Sequence, residues 1–129
     1  MANSRISDDN HEYAVIDTAP DSEGYFTNTI CPRDIIKAGT SIGGKIFFSI
    51  RENEADSSAE PSDNAVTEVI LEFKCEDDTE WTEFVPLDGS SIAVGNRVQI
   101  DDTGAGVLWR AGVSSVGYTS GKVVFGFDW

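Results

Sequence analysis

His11 is the chain's one histidine, and it stands in a polar opening stretch without a cysteine or second histidine beside it. A nucleophile needs a positioned base, so this pattern predicts no catalytic relay. Two carboxylate pairs, Asp77-Asp78 and Asp101-Asp102, carry the groups that sugar hydrolysis uses. Both fall at expected turns, where aspartate bonds its own backbone, and a local role is predicted for each. Neither pair has the alternating spacing with a later glutamate that holds calcium. Cys31 and Cys75 lack the spacing of a zinc site. Cys75 shares a face with Val69, Leu71 and Phe73 and is expected to be buried, with Cys31 an unpaired thiol. Gly104-Ala105-Gly106 is followed by neither a lysine nor a helical pattern, so it is no phosphate loop. The remaining chemistry is aromatic. Trp81, Trp109 and Trp129 would stack on sugar rings if exposed, but alternation assigns Trp109 and Trp129 to the core and leaves Trp81 as the exposed candidate. No enzyme activity, cofactor or metal is expected.

The elements that position these residues come from a chain of 129 residues and 14.0 kDa, most simply one domain. A chain of this size buries about two thirds of the surface its unfolded form exposes, so its core needs no staples. Its 23 acidic against 9 basic residues give a net charge of −14 and a pI near 4.1. Such a potential repels phosphate backbones and anionic headgroups, which argues against nucleic acid and membranes as partners. Apolar runs fall far short of the roughly 20 residues of a spanning helix. The first residues lack the apolar centre of a secretory signal, and synthesis in the cytoplasm is expected.

Residues 1–12 are polar and charged and predict a flexible arm, with one domain over 13–129. Tyr13–Asp17 and Tyr25–Cys31 read as strands, separated by the turn residues Pro20 to Gly24. Pro32–Gly39 is the one place that suggests a short helical turn, closed by Gly39, although a loop would serve equally. Lys45–Arg51 alternates, with Ile46, Phe48 and Ile50 on one face. Glu52–Asn64 has five acids and no base and reads as a solvated loop. Val66–Cys75 and Trp81–Val85 form an expected hairpin with Trp81 and Phe84 near its end. Asn96–Asp101 alternates again. Finally, Val107, Trp109, Ala111 and Val113, then Val123, Phe125, Phe127 and Trp129, suggest two antiparallel strands joined as a hairpin through Gly117–Gly121. Seven or eight short strands with turn signals between them predict an all-β antiparallel sandwich, jelly-roll or immunoglobulin-like.

In order, EVILEFKCEDDTEWTEFV, GNRVQIDD and GVLWRAGVSSVGYTSGKVVFGFDW resemble small β-rich virion-associated proteins of tailed bacteriophages. The resemblance covers about Glu68–Trp129 and is carried by Trp109-Arg110-Ala111-Gly112-Val113 followed by Tyr118-Thr119-Ser120-Gly121. It implies a structural component of the particle. Together with the acidic charge it leads to the expectation of a capsid decoration, or cement, protein on the outside of the head. It would contact the major capsid protein as a homodimer or homotrimer. Arg5, Ile6 and Tyr13 of the arm, Trp81 and Phe84 of the hairpin tip, and Trp129 at the end are the expected partner-binding residues. Two other expectations stand beside it: a glycan-binding sandwich stacking sugars on Trp81 and Tyr118, and a tail or neck component.

Overall fold

The computed structural model describes residues 3–39, 44–54, 67–84, 97–100, 104, 106–119 and 121–129. Their strands, in chain order, are β1 (Ser4–Ser7), β2 (His11–Ile16), β3 (Tyr25–Phe26), β4 (Ile46–Glu54), β5 (Ile70–Cys75), β6 (Thr82–Glu83), β7 (Arg97–Ile100), β8 (Val107–Val113) and β9 (Lys122–Asp128). One helix, α1 (Pro32–Ala38), lies between β3 and β4. The strands form two antiparallel sheets, β1-β2-β9-β4-β7 and β3-β8-β5-β6, so the all-β sandwich expected from the alternation is present.

The pairing has a simple rule. β5 pairs with β6, β4 with β7, β3 with β8 and β2 with β9, all antiparallel. These are successive rungs of one long hairpin ribbon whose innermost turn is the β5–β6 connection. Rolling that ribbon sends alternate rungs to opposite sheets, and the β4·β9 and β5·β8 pairings close them. Of the two topologies left open by the sequence, this strand order is the jelly roll. β1 adds an outer strand to the larger sheet.

Facial alternation fixes what lies inside. Ala14 and Ile16 from β2, Ile46, Phe48 and Ile50 from β4, and Val123, Phe125 and Phe127 from β9 meet Leu71, Trp109, Ala111 and Val113 of the second sheet in one buried cluster. Phe48 and Phe127 pack with ring centroids 5.5 Å apart, and Phe73, Phe84 and Trp109 form an aromatic group at the opposite wall. α1 starts with Pro32 in its first turn and stops at Gly39, whose left-handed backbone (φ 75°) returns an N–H to Ile36. In β4 the register shifts between Ile50 and Glu52. Arg51 is the extra residue of this bulge, and the shift sets Glu52 opposite Val124 on the outer face, 4.0 Å from Lys122.

Four expectations need correction. β8 and β9 are not a hairpin, because they lie in different sheets and face each other across the core. Their matching apolar faces are the two walls of a sandwich. Residues 1–12 are not simply an arm: Ser4–Ser7 pairs with β2 in full register, and His11 and Glu12 begin β2. Asn3 secures this segment by accepting the Asp17 and Thr18 N–H groups and donating to Thr18 O. Cys75 is exposed, since β5 leaves the core there and its end is tied to Asp78 through paired backbone and side-chain bonds. Both cysteines are free. Phe84, expected at a hairpin tip, turns inward onto Trp109. The acidic stretch beyond 54, Val85, and Asp101-Asp102 fall outside the described residues.

One buried acid was not foreseen. Glu12 faces inward opposite Phe127, and its carboxylate accepts from the Ser7 hydroxyl (2.8 Å) and the Asn28 backbone N–H (3.0 Å). These bonds tie β1 and β2 to the segment that follows β3, where the two sheets meet. Glu12→Ala removes the charged acceptor shared by both donors and is expected to cost about 2 kcal/mol in urea unfolding. Glu12→Gln, which keeps an acceptor, is expected to lose clearly less.

Candidate functional site: the outer face of the larger sheet

The larger sheet turns an outer face to solvent whose centre is a gap. Gly126 on β9 lies between Tyr13 on β2 and Ser49 on β4, and Arg97 on β7 completes the row. Without a side chain at Gly126, the Tyr13 ring drops onto β9: a Cβ there would lie 2.4 Å from Tyr13 Cδ1. The next row is His11, Asp128, Phe47 and Gln99.

These rows bring opposite charges together. Tyr13 donates its hydroxyl proton to Asp128 Oδ1, while Arg51 donates to the Tyr13 oxygen (2.8 Å) and to Asp128 Oδ2 (2.6 Å). Arg51 also reaches Ser49 Oγ at 3.2 Å, an arrangement the β4 bulge permits. His11 Nε2 lies 3.6 Å from Asp128, and its Nδ1 lies 2.8 Å from Asp8. The Asn10 N–H and the His11 ring hold the Asp8 carboxyl below the ordinary carboxylate value. The Asp128 bond raises the Arg51 guanidinium further.

Burial, then the bond and charge of Asp128, push the Tyr13 phenol from its ordinary 10 up to about 12. The folded state therefore holds this proton more tightly than the unfolded chain. The resulting stability is complete below pH 10 and is lost as pH rises toward about 12. Ultraviolet titration of tyrosinate in the intact protein and in Tyr13→Phe is expected to give a difference curve centred about two units above a free tyrosine.

Beside the network lies a cleft of about 230 Å³ lined by Lys45, Phe47, Arg97, Asp128 and Trp129. Arg97 stands 5.7 Å above the Phe47 ring, and its Nη2 is 4.0 Å from Asp128. Asn10 holds the Trp129 backbone in place, donating from its side chain to Trp129 O (2.7 Å) and accepting the Trp129 N–H (3.1 Å) at its own backbone carbonyl.

The six residues expected to bind a partner are not brought together. Tyr13 and Trp129 belong to this face, and Ile6 lies beside Tyr13 on β1, half-exposed. Arg5 is used within the fold, donating to Phe26 O (2.8 Å) and covering Tyr25 at 4.7 Å, which staples the edges of the two sheets. Phe84 is in the core wall. Trp81 lies on the opposite outer face, where Arg110 is inserted between Trp81 (4.3 Å) and Phe26 (3.8 Å) and is anchored to Glu72 at 2.9 Å. Lys74 also approaches the Trp81 ring, at 5.2 Å. A sugar stacking on Trp81 must compete with these cations, and Tyr118 donates to Gly121 O and Asp17 O away from it. No protein-family model, curated protein or solved structure matches the chain. The site is therefore interpreted from its own residues. Arg51, Arg97, Phe47 and Asp128 were not singled out from the sequence; the signal was present in the outward positions of KIFFSIR and NRVQID and, for Asp128, of KVVFGFDW, which alternation treats only as a solvated face.

Proposed function

We propose that the protein is a structural component of a virus particle, a decoration protein bound to the outside of a tailed-phage head. The observation that carries this reading is the nested ribbon. A jelly roll is a common wrapping of viral capsid and lectin domains, and here its interior is filled by Phe48, Phe125, Phe127 and aliphatic side chains. Recognition is then a matter of surfaces. A fold does not assign a function, and the resemblance of Glu68–Trp129 to virion-associated proteins supplies the direction. The net charge of −14 keeps free copies apart, while many identical weak contacts on a lattice sum to firm attachment. The proposed partner is the major capsid protein, and the outer face of the larger sheet, edged by Ile6 and Tyr13, is the proposed attachment face. A homodimer or homotrimer would present several such faces at once.

Heads prepared without the protein should take it up in a fixed copy number and then withstand heating better than bare heads. Recovery of the protein with purified tails, and not with purified heads, would overturn the reading.

A further inference from the structure

We propose that the cleft between Lys45, Phe47, Arg97, Asp128 and Trp129 receives an extended segment of the partner protein carrying a carboxylate beside an apolar side chain. The proposal rests on the attachment reading for its partner, but its chemistry comes from the cleft. In a chain of net charge −14, this wall concentrates Arg97 and Lys45, with Arg51 just behind. The negative charge of Asp128 is taken up by Arg51 at 2.6 Å. Arg97 lies 4.0 Å from that carboxylate, beyond hydrogen-bond reach, and is about half-exposed in the cleft wall, so its N–H donors have capacity to spare.

Phe47 and Trp129 supply the apolar part. Arg97 over Phe47 fixes the guanidinium against an aromatic surface, which leaves its edge for a planar carboxylate. The volume decides between occupants. At about 230 Å³ the cleft is smaller than the roughly 300–1,000 Å³ of small-molecule pockets, and it suits one or two side chains of a passing chain. The chain's overall charge disfavours a phosphate polyanion more strongly than a single carboxylate.

The test uses the full chain and two blocked peptides, one with a glutamate between phenylalanines and its glutamine twin, with acetate as the free-carboxylate control. Nuclear magnetic resonance titration should show the glutamate peptide shifting the Trp129 indole and Arg97 side-chain signals. The glutamine twin and acetate should each bind at least about tenfold more weakly. Arg97→Gln should weaken the glutamate peptide by about tenfold while leaving the thermal midpoint essentially unchanged, because Arg97 is on an exposed edge strand. Equal binding of the two peptides, or full binding by Arg97→Gln, would overturn the proposal. Acetate binding as tightly as the peptide would overturn the apolar component. Self-association of the protein that disappears in Arg97→Gln would overturn the foreign partner in favour of a second copy. Head binding that survives a failed peptide test removes the cleft and keeps the decoration reading. Peptide binding without head binding does the reverse.

Discussion

Gly126→Ala is expected to lower stability by about 3 kcal/mol, the upper end of what overpacking costs. An added Cβ would lie 2.1 Å from the Glu12 carbonyl oxygen and 2.6 Å from the Tyr13 Cα. These are backbone atoms of β2, so no rotamer change relieves them. The strand itself must move away from β9. β9 is the central strand of the five, and displacing β2 also carries β1 with it. The Tyr13 hydroxyl would leave Asp128 in the same motion, so urea unfolding and the alkaline tyrosinate titration should change together. Gly112→Ala is the control. There the three nearest contacts, from 2.1 Å, are all with the Phe26 ring, a side chain on a two-residue edge strand rather than the backbone of a neighbouring strand. A smaller loss of stability is expected, accompanied by release of Arg110 from Phe26.

Phe127→Ala is expected to cost about 3–5 kcal/mol. Its ring is fully buried, pairs with Phe48 at 5.5 Å, and stands opposite Glu12 on one side and Phe48 on the other in the sheet register. Removing it leaves a cavity walled by strands that cannot close in without breaking the β2·β9 and β4·β9 ladders. Denaturant unfolding checks the value, and a loss below about 1.5 kcal/mol would mean that the core refills. Trp129→Ala should lose less than Phe127→Ala, because that ring is only half-buried and lines the cleft.

The difference between these residues and those of the site shows where the sequence was informative. Period-two alternation marked Phe48, Trp109, Val123, Phe125 and Phe127 as inward, since burial acts on each strand separately. The same local signal is blind to which strand lies beside which. Val107–Val113 and Lys122–Asp128 look like a hairpin by adjacency and by the turn residues between them. The connection 114–121 is longer than the roughly 2–5 residues of a hairpin loop, and that length was the available warning. β1 gave no pattern at all. All four of its residues are exposed, and it is held by an edge ladder, Asn3 and Arg5. The network around Asp128 was illegible for a related reason: Tyr13 and Asp128 are 115 residues apart, and only the β2·β9 register brings them together.

The nested ribbon also sets an order in time. Loop-closure entropy favours the shortest closure first, so β5·β6 can form before β4·β7, then β3·β8, and β2·β9 last. Pulse-labelled hydrogen exchange during refolding should find the amides of β5 protected before those of β2. The Tyr13–Arg51–Asp128 face draws on that outermost rung. A chain halted partway along its folding route therefore lacks this face, and under the proposed attachment only subunits that have completed their fold would dock.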